Sequence, residues 1–152
     1  MTVLIDSNIL IGFLKGEELI VQQIHKFVQA KQPIFISAIS VYEVYLGIMA
    51  NLYLKEGRPA KVPALLAAYE KLLLKCYILD FTREAAEKAA DLYAQSQGRG
   101  ITIKEKDCQI AGIALVHGIS EVFTRDETDF GKIRNITGLN YVAIPRGDEE
   151  TS

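Results

Sequence analysis

Met1–Lys15 reads MTVLIDSNILIGFLK, and the way this stretch is parsed governs the rest of the chain. Thr2–Ile5 is short, apolar and partly β-branched, and it stops at Asp6. That is the signature of a buried strand ending in an acid. No basic segment precedes the apolar run and Asp6 interrupts it, so a strand is expected here and not a secretory signal. The same pattern recurs at Pro33–Ile36 (PIFI, ending at Ser37), Tyr77–Leu79, Glu121–Thr124 (EVFT) and Tyr141–Ile144 (YVAI).

The intervals carry helical spacing. Glu17–Lys31 puts Leu19, Ile20, Ile24, Phe27 and Val28 on one face. Ser40 to about Lys55, Val62–Lys75, Arg83–Gln95 and Lys104–His117 repeat the pattern. Breaks fall at Gly57 with Pro59, Gly98 with Gly100, Gly118 and Gly138. Strands alternating with helices imply an α/β fold in which a parallel sheet is covered on both faces. The two helices between the second and third strands exceed a plain crossover and are expected to protrude as a hairpin. The length of 152 residues suits one domain, placed at 1–146, with a frayed polar tail at 147–152.

Composition narrows the function classes. Half the residues are hydrophobic (49%) and the formal charge is −2, so no global basic surface announces nucleic acid. No apolar run reaches the roughly 18 residues of a membrane span. Cys76 and Cys108 lack metal-ligand spacing and read as reduced, buried thiols, as in a cytoplasmic protein. His25 and His117 read as residues of helix faces or ends.

The acids tell more. Ligands of a parallel sheet bind at the carboxyl ends of its strands. Asp6 follows the first strand, and Asp126 follows the fourth after Thr124 and Arg125. Glu43 is expected in the first turn of the helix after the second strand. Asp107 opens the helix leading into the fourth strand; that helix runs antiparallel to the strand, so it starts at the same edge. Each acid also has a structural alternative. Asp6 or Asn8 can cap the next helix. Ser40-x-x-Glu43 fits a capping box, Asp107 favours a helix dipole, and Asp126 can cap a short helix with Glu127 and Asp129 in its first turn. Independent caps, however, have no reason to share one edge. Clustered carboxylates must take up protons or cations, and hard oxygen donors select Mg²⁺ or Mn²⁺. No His, Ser or Cys arrangement competes for nucleophilic chemistry.

Four segments, LIDSNILI, ISAISVYEVYLG, KDCQIAGIAL and VFTRDETDF, resemble in order and spacing the PIN-domain nucleases, specifically the VapC toxins of toxin–antitoxin pairs. The resemblance implies a three-layer α/β/α fold with a short parallel sheet of about five strands. It also implies a Mg²⁺- or Mn²⁺-dependent endoribonuclease that cuts single-stranded RNA, a small antitoxin partner and a homodimer. Asp6, Glu43 and Asp107 match the family's core acids, and Asp126 matches a fourth position that is Asn in many members. Ser7, Asn8, Ser40 and Thr124 match polar positions that orient ligands, and Asp129 a more peripheral acid. Arg99, Lys104, Lys106 and Arg125 are candidate phosphate contacts, or simply solvated charges. Long apolar helix faces between Glu17 and Lys75, including LGIMANLYL (Leu46–Leu54), offer surface for a partner.

Two other acidic-site folds and one inactive form compete. A receiver-like domain would use Asp80 after the third strand, but Arg146 and not Lys follows the fifth. A phosphatase of the haloacid-dehalogenase type wants Asp two residues after the first acid, where Asn8 stands. A non-catalytic PIN-like binding module remains as the non-enzyme reading.

Overall fold

The computed structural model describes residues 1–146, so the tail at 147–152 lies outside the described residues. Five strands appear where the short apolar runs stand: β1 (Val3–Ile5), β2 (Ile34–Ser37), β3 (Tyr77–Leu79), β4 (Glu121–Thr124) and β5 (Asn140–Ala143). They form one parallel sheet in the order β3-β2-β1-β4-β5. In the register, Leu4 lies opposite Val122 and Ile5 opposite Phe123.

Seven α-helices cover it: α1 (Ser7–Leu14), α2 (Glu18–Gln29), α3 (Ala38–Tyr53), α4 (Val62–Leu73), α5 (Arg83–Gly98), α6 (Glu105–Val116) and α7 (Glu127–Thr137). Alternation along the strands splits the core in two. Val3, Ile5, Ile34, Ile36 and Phe123 pack on one face with residues of α1 to α4. Leu4 and Val122 pack on the other with α5, α6 and α7. The architecture is therefore the expected α/β/α sandwich.

Helical periodicity had not marked α1 or α7. SNILIGFL is apolar nearly all round, and ETDFGKIRNIT is short and holds Gly131, so neither shows a clear stripe. Both are defined by their caps: Asp6 accepts from Ser7 N, and Asp126 from Asp129 N. Gly138, at φ +80°, closes α7 in the left-handed conformation.

The α3–α4 pair is not a protruding hairpin. Val44, Ile48, Val62, Tyr69 and Leu72 are buried in the first core, because the β2–β3 half of the sheet needs a cover and these helices supply it. On the opposite face α5 and α6 approach closely. A Cβ at Gly112 would sit 2.6 Å from the Ala85 carbonyl and 3.0 Å from Ala89 Cβ, so only glycine fits that crossing.

Candidate metal centre

The chain leaves β1 toward β2 and β3, and leaves β4 toward β5, so the loops after the adjacent strands β1 and β4 part at the carboxyl edge. A crevice of this kind is where parallel sheets bind ligands. Asp6, 3% exposed, stands at the end of β1 with its amide bonded to the Phe123 carbonyl at 2.9 Å. Its Oδ1 accepts from Ser7 N at 2.8 Å and its Oδ2 from the buried Thr124 hydroxyl at 2.7 Å. The Thr124 oxygen in turn accepts from Asp126 N at 2.9 Å. Asn8 Oδ1 accepts from Arg125 N at 3.1 Å, which ties the β4–α7 turn to the start of α1.

Glu43 arrives from α3, but in its second turn and not its first, because Ser37 is the cap and starts the helix at Ala38. Ser37 Oγ accepts from Ser40 N at 3.0 Å, so the Ser40–Glu43 capping box does not form. The longer lead turns Glu43 toward the crevice. Ser7 Oγ lies 2.9 Å from both Glu43 Oε1 and the buried Ser40 hydroxyl, and Lys106 Nζ donates to Glu43 Oε2 at 2.7 Å.

The third group of acids is tighter. Asp107, in the first turn of α6, together with Asp126 and Asp129, places one carboxylate oxygen from each within 4.8 Å of the others. Asp129, which the resemblance made peripheral, therefore stands among the ligand candidates. The reason is its position one helical turn past Asp126, where its amide donates to the capping Asp126 Oδ1 at 3.0 Å and its side chain is buried. Asp6 and Glu43 lie outside this trio; Thr124 joins Asp6 to Asp126, and Glu43 is paired with Lys106, the residue before Asp107.

Burial is the main cause of the unusual titration here. It pushes the Asp6 carboxyl up to about 6 against the opposing bonds from Thr124 and Ser7, with Glu43 and Asp126 adding repulsion. It pushes Asp107 higher still, to about 9, aided by Asp126, Asp6 and Asp129. Burial acts on Asp126 as well, but the Asp129 amide, the Lys104 ammonium and protonated Asp107 outweigh it and hold that carboxyl below the ordinary range.

A divalent cation fits these residues. The donors are all carboxylate oxygens, the set a hard ion prefers. Asp107 Oδ2 is buried without a hydrogen-bond partner, a costly state that a cation would relieve.

The basic candidates separate. Lys104 and Lys106 are spent as counter-ions, with Lys104 Nζ 3.0 Å from Asp126 Oδ2. The Arg125 side chain is only 8% exposed and paired with Glu17, so it is not a rim residue: the crevice wall needs its length to reach α2. Arg99 is an exposed residue at the end of α5. Three contributors escaped sequence reading. Ser37 was findable as a Ser between a strand and a helix. Glu17 and Arg146, which borders a pocket beside Asp126, carried no local signal.

Other features fall away. Asp80 is exposed after the edge strand β3, with β2 between it and β1, so it cannot complete a receiver-like site. Asn8, where a phosphatase needs its second acid, is bound to the Arg125 amide. Cys108 is buried and Cys76 only half-buried; both are free thiols that burial pushes up to about 11. His25 is exposed on α2, and His117 ends α6 with Nδ1 2.8 Å from the Ile113 carbonyl. Among the described residues no helix is long and apolar enough to cross a membrane.

A parallel α/β/α domain with carboxylates gathered at its switch point has the donors that could hold a hard cation. The chain belongs to the PIN domain family, which matches residues 3–136. It is 31% identical over 117 residues to the plasmid stability protein StbB of Pseudomonas syringae pv. tomato, covering 75% of this chain and 77% of that one. Solved structures share the fold. VapBC2 from Rickettsia felis, bound to a DNA fragment from its promoter, aligns with a TM-score of 0.77 and 18% identity over 95% of this chain and 100% of that one. VapC20 from Mycobacterium tuberculosis, described as a Sarcin-Ricin loop cleaving toxin, aligns at 0.59 and 13% identity over 86% and 95%.

Proposed function

We propose that this protein is a Mg²⁺- or Mn²⁺-dependent endoribonuclease that cuts single-stranded RNA, the toxin of a VapBC-type pair. The observation that carries the reading is the trio Asp107, Asp126 and Asp129, with its orphaned, buried Asp107 oxygen, at the switch point where Asp6 and Glu43 also stand. These acids would hold the cation, Asp126 and Asp129 from α7 and Asp107 from α6. A divalent ion bound there would lower the pKa of a water and neutralise charge on a phosphodiester. Thr124 and Ser7 hold Asp6 and Glu43 in fixed rotamers, so the acids are oriented before substrate arrives.

The same reading brings a small antitoxin, a homodimer and the cytoplasm as compartment. Support for a protein partner comes from α3, where Tyr42 (66% exposed), Leu46 (54%) and Tyr53 (81%) leave apolar surface uncovered. A groove of about 410 Å³ on that surface is lined by Val41, Tyr42, Tyr45, Leu46, Met49 and Tyr69. An antitoxin helix is the occupant this reading assigns to it.

Purified protein should cleave a single-stranded RNA oligonucleotide in Mg²⁺ or Mn²⁺ and stop in EDTA. The Asp107→Asn variant should lose about 10²-fold or more in rate, in line with loss of a group that organises transition-state charge. Cleavage that persists in EDTA refutes the metal reading. Absence of any cleavage leaves the chain a PIN-like binding module.

A further inference from the structure

Arg125 stands between two residues that handle acids. Thr124 before it holds Asp6 Oδ2, and Asp126 after it belongs to the carboxylate trio. Its own side chain is spent elsewhere. The guanidinium is almost wholly buried and donates through a terminal nitrogen to Glu17, at the start of α2. Glu17 occupies the N-cap position of that helix yet makes no side-chain cap bond, so its carboxylate serves Arg125 and not its own helix. Gly12 of α1 lies against the pair: a Cβ there would stand 3.2 Å from both Arg125 Nη1 and Glu17 Oε2.

The backbone of Arg125 is fixed as well. Its amide donates at 3.1 Å to Oδ1 of Asn8, in the first turn of α1. The β4–α7 turn is thus anchored twice through one residue, to the start of α1 and to the start of α2. What the anchors hold is the residue that follows. Asp126 leaves the turn at φ −90° and ψ 74°, outside both the helical and the extended regions, while its Oδ1 caps α7 by accepting from Asp129 N. The aim of its carboxylate is therefore set by the turn.

Stability does not account for the pair. A buried ion pair is often no better than apolar side chains of similar volume. Here the cost is higher, because Arg125 Nε is buried with no acceptor. A methionine at 125 would fill much of the space without that penalty. It would not supply a directional link to α2.

We propose that Arg125 and Glu17 are positioning residues for the metal site: their pair fixes the β4–α7 turn and, through it, the aim of the Asp126 carboxylate at the cation. This rests on the cation site of the reading above. The pair touches neither cation nor substrate. Loss of partners that orient a metal ligand costs roughly 10–100-fold in metal affinity.

The test is Mn²⁺ binding to the full chain, read from the electron paramagnetic resonance signal of the free ion. Metal-free melting and Mn²⁺-supported cleavage of a short single-stranded RNA are measured beside it. The variants are Arg125→Met, Glu17→Ala and the double variant Arg125→Met/Glu17→Leu. Each single variant should raise the Mn²⁺ Kd about tenfold or more. The double variant leaves no unpaired charge and should melt no lower than Arg125→Met, while its Kd stays raised. Affinity should therefore follow the link and not the melting temperature. If the Arg125 variants do not fold, Glu17→Ala, altered at a partly exposed residue, carries the test. A Kd within about threefold of wild type in every folded variant, or one restored in the double variant, overturns the positioning role. A wild type that cuts RNA while the variants bind Mn²⁺ as it does keeps the nuclease reading and removes the positioning role. A wild type that shows the expected Kd pattern but cuts no RNA does the reverse. A wild type that binds no Mn²⁺ removes both.

Discussion

Replacing Asp107 by asparagine should stabilise the metal-free protein, which is the opposite of what removing a useful hydrogen-bonding acid would do. Asp107 is 8% exposed, its Oδ2 has no partner, and its carboxyl is pushed up to about 9 from an ordinary 3.8. A group whose folded-state pKa is raised contributes stability below its unfolded pKa and loses it as pH rises toward the folded one. At pH 7 the loss covers the interval from 3.8 upward, and at ~1.36 kcal/mol per unit that is about 4 kcal/mol. Asp126 shares the proton, which reduces the relief given by a neutral asparagine to about 2–4 kcal/mol. For a chain of this size each kcal/mol moves Tm by roughly 2–4 °C, so the variant should melt about 4–16 °C higher in EDTA at pH 7. The difference should shrink to well under ~1 kcal/mol near pH 4, because there Asp107 is still protonated in the folded state and the pH has almost reached the 3.8 of the unfolded state. Asp6, raised to about 6, gives both proteins a common loss of about 3 kcal/mol between pH 4 and 6. Added Mg²⁺ should then stabilise the wild type by about 2.7 kcal/mol at a hundredfold excess over its Kd, and the variant much less. Calorimetric melts of both proteins, with and without Mg²⁺ at pH 4 and 7, supply the comparison. A metal-free variant that melts below the wild type at pH 7, or equal Mg²⁺ shifts in the two proteins, refutes the placement of Asp107 as a desolvated ligand.

Two further outcomes follow from packing and hydrogen bonding. Thr124→Val keeps the shape of a fully buried side chain but strips the donor from Asp6 Oδ2 and the acceptor from Asp126 N, so urea denaturation should show a loss of about 1–3 kcal/mol. Gly112→Leu forces a side chain against the Ala85 carbonyl at the α5–α6 crossing, and the same assay should show a loss of about 1–3 kcal/mol or failure to fold.

Most of the sheet was legible because buried parallel strands write themselves as short apolar runs, and five such runs became β1 to β5. What escaped was structure that depends on a cap or on distant chain. α1 is apolar on every side, and only Asp6 says where it begins. Glu43 was placed one turn too early because Ser40 mimics a cap, while Ser37, fully buried at the end of β2, is the one that bonds the helix start. The edge shared by Asp6, Glu43, Asp107 and Asp126 could be deduced from connectivity alone. The depth of Asp129, the burial of Arg125 and its pairing with Glu17 could not, since each depends on a residue at least 25 positions away.

The partners of the five acids show how such a site stays folded before a cation arrives. Asp6 is held by an amide and a hydroxyl, Glu43 by a hydroxyl and Lys106, Asp126 by an amide and Lys104, and Asp129 by the Lys104 amide. Asp107 alone has a buried oxygen with no partner, and it is the acid whose proton burial holds most firmly. The lysines sit on the two acids nearest solvent, with side chains more than half exposed, so their withdrawal costs little: exposed ion pairs are worth about 0–1 kcal/mol. On the proposed function, binding would therefore exchange weak, exposed counter-ions for one fixed cation. On the proposed function the net gain would come from Asp107, where a ligand contact would replace a proton and an unmade bond. Lys104 at the α6 cap and Lys106 in its first turn stand just before Asp107, so the segment that brings the unsatisfied acid also brings the charges that shield Asp126 and Glu43.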